Sequence, residues 1–165
     1  MKKFGTALIS GFVMVLFAII AIIMPAAHGI VGVGGITGAS YTMSGYEMIF
    51  GNSNDKTSAC PGLLVAWIFL LIALLAGVCA IVLLALKKDK KLASFSAAGL
   101  IFAFAGLLAF VAGILFFCAI PLYGYESSSV ISYKLGAGFV IGGIFSLIAG
   151  LGGIAAFVCP ILLKK

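Results

Sequence analysis

Four uninterrupted apolar runs, parted by short polar stretches, cover most of this chain. They extend over residues 4–27, 63–86, 92–120 and 135–163. A helix needs roughly 20 apolar residues to cross about 30 Å of hydrocarbon, and each run meets that length. None alternates apolar with polar positions, and all are far longer than barrel strands. In lipid each backbone N–H and C=O must pair inside the protein, so the runs are predicted to be helices. The pattern predicts an all-α integral membrane protein: an antiparallel four-helix transmembrane bundle forming one domain over residues 1–165. Outer loops are expected at 28–62 and 121–134, and a cytoplasmic turn at 87–91.

The turn at 87–91 is so short that the second and third spans must be antiparallel neighbours. The third and fourth runs are the longest. At 1.5 Å per residue, 29 residues reach about 43 Å, which exceeds the hydrocarbon by roughly two turns. The third helix is therefore expected to continue past the outer surface, and residues 135–138 to be irregular.

Outer loop 1 is the largest piece outside the spans. Residues 29–38 are glycine-rich and read as flexible or close-packed loop. Residues 40–42 are expected to begin a short strand. Ser44-Gly45-Tyr46-Glu47 has the S-x-x-E form of a capping box, and Gly51 suits a helix C-terminus. Residues 45–50 therefore read as a short apolar helix at the membrane surface or over the bundle. Tyr123-Gly124-Tyr125-Glu126 in outer loop 2 echoes residues 44–47, and the first and third spans both end near a proline, Pro25 and Pro121. These echoes hint at two related hairpins.

Composition agrees with the pattern. The 165 residues are 64% hydrophobic and 8% charged, with mean hydropathy +1.35, against roughly 25% charged for a soluble domain. The net charge of +6 would suit an acidic partner, but its distribution says otherwise. Eight of the ten lysines sit at span ends: Lys2 and Lys3, then Lys87, Lys88, Lys90 and Lys91, then Lys164 and Lys165. With Asp89 these clusters carry +7, and the other charged residues sum to −1. Positive charge beside spans marks the cytoplasmic side, so both termini are expected inside, at the plasma membrane. The lysines have a sufficient explanation there, and nucleic acid is not an expected partner. The first span resembles a signal sequence, but it is longer than the usual 7–15 residues and is read as retained.

Chemistry is sparse. No charged residue lies inside a span, which argues against ion coupling through a membrane-embedded acid or base. His28 is the single histidine, without the neighbouring Cys or Asp that a metal site needs. Residues 32–38 come near a dinucleotide fingerprint but lack its strand–turn–helix setting. No nucleophile and base can meet at membrane depth. No catalytic, cofactor-binding or metal residues are expected, and the chain reads as no enzyme. Cys60 and Cys118 both fall near the outer face. A disulfide between them is one alternative in an oxidising compartment; free buried thiols, commoner in an apolar bundle, are the other.

What the spans do carry is small residues. Gly138, Gly142, Ser146, Gly150 and Gly153 mark a face of the fourth span, and Ala105, Ala109 and Gly113 a face of the third. Ala66, Ala73 and Ala80 recur at seven-residue spacing in the second. Small residues let helix backbones approach, which drives association in lipid. Trp67, one turn into the second span, reads as an interface anchor.

A long first outer loop, a short second and an extended third helix resemble the claudin-like four-span adhesion proteins, in architecture only. Their loop signature, a Gly-Leu-Trp with two cysteines, is absent: outer loop 1 has no Trp and only Cys60. The functional expectation is a non-enzymatic multi-pass protein acting through helix packing and protein interaction, in an assembly, accessory or envelope role. The alternative is a small channel or transporter component. The expected partners are the lipid bilayer, together with a second copy or another membrane protein.

Overall fold

The computed structural model describes residues 2–34, 40–52, 58–86, 93–124 and 131–162. Four helices are long and apolar enough to cross a membrane: α1 (Lys2–Ile23), α3 (Pro61–Leu86), α4 (Ala93–Phe117) and α6 (Ala137–Leu162). Around the bundle each helix packs on two neighbours, in the order α1, α3, α4, α6 and back to α1. Its neighbour contacts run antiparallel. Gly11 meets Ile81 while Gly77 meets Val15, and Gly99 meets Phe157 while Gly113 meets Gly143.

The helix boundaries have local causes. Pro61 opens α3, where its missing N–H is one that would have no intrahelical partner anyway. The third span does not continue as one straight helix. It ends at Phe117, and after Cys118 a separate short helix, α5 (Ala119–Tyr123), carries Pro121 and closes on left-handed Gly124. The fourth helix begins only at Ala137; Leu135 belongs to a strand and Gly136 to neither.

The loops hold more order than hydropathy predicts. After a 3-10 turn (Met24–Ala26), β1 (His28–Gly34) runs antiparallel to β2 (Ser40–Ser44) on one side and to β3 (Ile131–Leu135) on the other. The glycine-rich stretch is thus the central strand, as far as Gly34. Its pairing with β3 joins the two outer loops, from Ile30 opposite Leu135 to Gly34 opposite Ile131. Ile30 and Met43 face inward and are buried, whereas Val33 and Ser40 are exposed. The transmembrane part is all-helical as expected; the three-stranded sheet is an addition outside it.

The short helix α2 (Gly45–Phe50) matches the expected segment. Its core lies at the top of the bundle, with Met48 and Ile49 fully buried. The repeated tetrapeptide, by contrast, has two structural roles: Gly45 opens α2, whereas Gly124 ends α5.

Candidate functional site

Two regions bring the sequence's candidate residues together: the seams of α6 and the outer cap. The expected single small-residue face of α6 divides between two neighbours. Gly138 and Gly142 turn to the end of α1: a Cβ on Gly138 would lie 2.8 Å from the Met24 carbonyl oxygen, and one on Gly142 3.4 Å from the Met24 Cβ. Ser146, Gly150 and Gly153 turn to α4. The Ser146 hydroxyl donates to the Ala109 carbonyl at 2.6 Å, fully buried. A Cβ on Gly153 would stand 2.7 Å from the Gly106 Cα and from the Phe102 carbonyl oxygen, and one on Gly150 2.8 Å from the Phe110 Cβ. At Gly138, Gly150 and Gly153 these distances are below 3.0 Å, so a Cβ there would force the neighbouring segment to shift.

On α4, Ala105 and Ala109 are fully buried, and a Cβ on Gly113 would lie 3.0 Å from the Gly143 carbonyl oxygen. Ala66, Ala73 and Ala80 of α3 are likewise fully buried. Gly106, Gly143 and Gly152 were not singled out by the sequence reading. The signal for the first two is a seven-residue spacing, Gly106 to Gly113 on α4 and Gly143 to Gly150 on α6, which returns to the same helix face after two turns. Gly152 lies on the other seam, where a Cβ would come 3.3 Å from the Met14 backbone nitrogen.

The outer cap is fastened to the bundle by close backbone contacts. A Cβ on Gly29 would lie 2.8 Å from the Gly45 Cα and from the Phe139 ring, and one on Gly45 2.7 Å from the Pro25 carbonyl oxygen. A Cβ on Gly136 would run into the His28 carbonyl oxygen. Backbone hydrogen bonds cross the same junction: Gly45 N–H donates to Ala27 O at 3.1 Å, and Gly136 N–H to Gly29 O at 2.8 Å. Three segments distant in sequence, around residues 25–29, 45 and 136–139, meet here because glycine removes the side chains that would hold them apart.

The capping box of α2 is formed. The Ser44 N–H and hydroxyl donate to Glu47 Oε2 at 2.8 and 2.9 Å, and the Glu47 N–H donates to Ser44 Oγ at 3.2 Å. The Asn52 amide adds a bond to Glu47 Oε1 at 3.2 Å. The Ser44 backbone N–H, and next its hydroxyl, hold the Glu47 carboxyl below its ordinary range, against a smaller opposing effect of burial. The Gly51 N–H returns to Glu47 O at 2.8 Å and ends the helix.

Cys60 ties three elements together. Its N–H donates to Met48 O of α2 at 2.8 Å, and its buried thiol donates to Leu122 O of α5 at 3.3 Å. Cys118 is exposed, and both cysteines are free thiols in the structure. Beside Cys60 a shallow recess of about 150 Å³ lies between residues 58–61 and the pair Leu122 and Tyr123. The Tyr123 hydroxyl donates to Ser58 O at 3.1 Å, and burial raises its pKa. His28 is exposed at the start of β1. Among the described residues no group of three His, Cys, Asp or Glu could hold a metal ion. The side chains of Lys2 and Lys3, and the residues Lys87, Lys88, Lys90, Lys91, Lys164 and Lys165, lie outside the described residues.

The fold defines a multi-pass membrane protein in contact with the lipid bilayer: four apolar helices, bulky residues such as Phe12, Leu75, Leu107 and Leu151 facing outward, and small residues between helices. Comparison with protein-family models and with curated proteins returns no match.

Proposed function

We propose that this protein is a non-enzymatic membrane protein that works by presenting its outer cap to a protein partner, in an assembly, accessory or envelope role. One observation carries the reading. The two outer loops form a single sheet, pinned through Gly29, Gly45, Gly136 and Gly138 to the ends of the membrane helices. A platform built this way holds its shape before a partner arrives, so less ordering entropy opposes binding.

The small-residue faces support the same reading by where they are used. Those of α6 are occupied by α1 and α4, and the residues turned outward are large. A partner in the membrane plane would meet bulky side chains suited to lipid, while the sheet offers Ser40, Thr42, Ser132 and Lys134 exposed. The lysine clusters of the sequence support a reading with both termini in the cytoplasm and the sheet outside, at the plasma membrane.

Photo-crosslinking from the sheet tests this proposal. A crosslinker replacing Thr42 is expected to trap one defined protein in native membranes, and one replacing Leu151 to trap none. A protein that stays monomeric in mild detergent, with no crosslinked product from Thr42, would overturn it. A channel or transporter component would instead need a polar path. Among the described residues Ser146 is the one buried polar side chain, and its hydroxyl is already bonded. Solute uptake into liposomes holding the purified protein would favour that alternative.

A further inference from the structure

We propose that α2 lies along the outer membrane surface, and that its Phe50 ring contacts the upper acyl chains and glycerol region of the phospholipids there. The helix belongs to outer loop 1 in sequence and packs on β1, β2 and the 3-10 turn, yet it also packs on α3, and two of its aromatic side chains reach the spans. The Tyr46 hydroxyl donates to Ile22 O, in the last turn of α1, at 2.8 Å. The Phe50 ring stands edge-on to Trp67, with centroids 5.1 Å apart and planes at 82°. Trp67 lies six residues into α3, about 9 Å along its axis from Pro61 at 1.5 Å per residue. The backbone of α2 is level with the helix ends, since the Cys60 N–H donates to Met48 O and the Gly45 N–H to Ala27 O, but the Phe50 ring reaches down to Trp67 on the outside of α3.

Phe50 is 51% exposed at that depth. Its neighbour Trp67 is flanked on α3 by Val65 and Ile68, each 41% exposed, and further along by Ile72 and Leu75. The exposed Phe50 ring thus continues the apolar belt of α3 that faces lipid. The Tyr46 ring lies tilted at 37° to that of Phe50 with centroids 6.1 Å apart, so Tyr46, Phe50 and Trp67 form one aromatic cluster. Aromatic side chains gather at this boundary because one end is apolar and the other accepts water or ester groups. The buried indole N–H of Trp67 has no hydrogen-bond partner among the described residues, an arrangement that marks this corner as unlike a finished protein core. The polar groups of α2 do not oppose the placement: Glu47 is satisfied by Ser44 and Asn52.

Trp67 is the protein's single tryptophan, which makes the test direct. The full chain is placed in phosphatidylcholine vesicles, and Phe50→Trp is combined with Trp67→Phe to move the only indole to position 50. Phosphatidylcholine brominated near the ester end of its chains is expected to quench most of the emission, and aqueous iodide little of it. Strong iodide quenching with weak bromolipid quenching would overturn the proposal. Tyr41→Trp with Trp67→Phe gives the water-exposed reference, since Tyr41 is also 51% exposed but stands on the sheet. Should the double variant not fold, Phe50→Ala alone serves, with emission read from Trp67. Loss of the covering ring is expected to increase quenching by bromolipid. An increase with iodide instead, or no change with either quencher, would sink the assignment.

Discussion

The bundle and the cap hold together by different means. Along the α4–α6 seam, glycines let backbone touch backbone, and Gly106 with Gly153 form its tightest point. The cap shares such glycine contacts only where it joins the bundle, at Gly29, Gly45 and Gly136; within itself it relies on directed bonds: sheet ladders, the Ser44–Glu47 box, and the thiol of Cys60 on Leu122. The difference follows from the solvent. In lipid, apolar side chains gain little by leaving their surroundings, so close packing and the loss of bulk between helices provide the attraction. Outside, water competes for every polar group, and a small cap must satisfy its own donors and acceptors to stay folded.

The sharpest way to break this contrast is to put a methyl group into the seam. Gly153→Ala places a Cβ 2.7 Å from backbone atoms of Gly106 and Phe102, neither of which can rotate away. A loss of about 3 kcal/mol, the upper part of the usual overpacking range, is expected in detergent unfolding. Gly5→Ala is the control: nothing lies within 4 Å of its Cβ, and it is expected to be neutral. If the two variants unfold alike, backbone contact is not what holds the bundle.

Ser44→Ala probes the cap. Losing the side chain that caps α2 costs about 1 kcal/mol. The loss is expected as faster hydrogen exchange in residues 45–50, while unfolding of the bundle stays unchanged. Parallel loosening of both regions would show that the glycine junction transmits strain between them.

Ser146→Ala removes the one hydroxyl bond inside the seam. Such bonds between membrane helices average about 0.6 kcal/mol, and the methyl that remains fills most of the volume. The expected loss is therefore small beside that of Gly153→Ala. A loss as large as the glycine variant's would move the weight of the seam from packing to hydrogen bonding.

The smallest effect is set by pH. The folded-state pKa of Glu47 is lowered from 4.5. Its contribution is therefore fully present above that value and is lost as pH falls through the lower folded one. Acid is expected to quicken exchange in α2 alone, and Glu47→Gln to remove that dependence. Acid loosening of the spans would contradict the division.

Much of this architecture is legible in the chain. The four runs and the Ser44–Glu47 box correspond to described helices, because each depends on residues near one another; the turn expected at 87–91 lies outside the described residues. The rest depends on partners far away. The central strand was hidden because Gly29, Gly32 and Gly34 interrupt the side-chain alternation by which a strand is recognised. Its pairing with β3 joins residues about a hundred positions apart. The face of α6 was visible as a row of small residues, but not its division between α1 and α4, since composition does not say which neighbour stands on which side.

Sequence alone therefore determined that the chain enters lipid as four helices: unsatisfied backbone is too costly there for any other open arrangement. The positions of the small residues also said that these helices approach closely. Only the tertiary structure decided which backbones meet, that both outer loops become one sheet, and that the Phe50 ring of α2 meets Trp67 of α3. Those outcomes rest on contacts between distant segments, where geometry selects among pairings that local residue chemistry leaves equivalent.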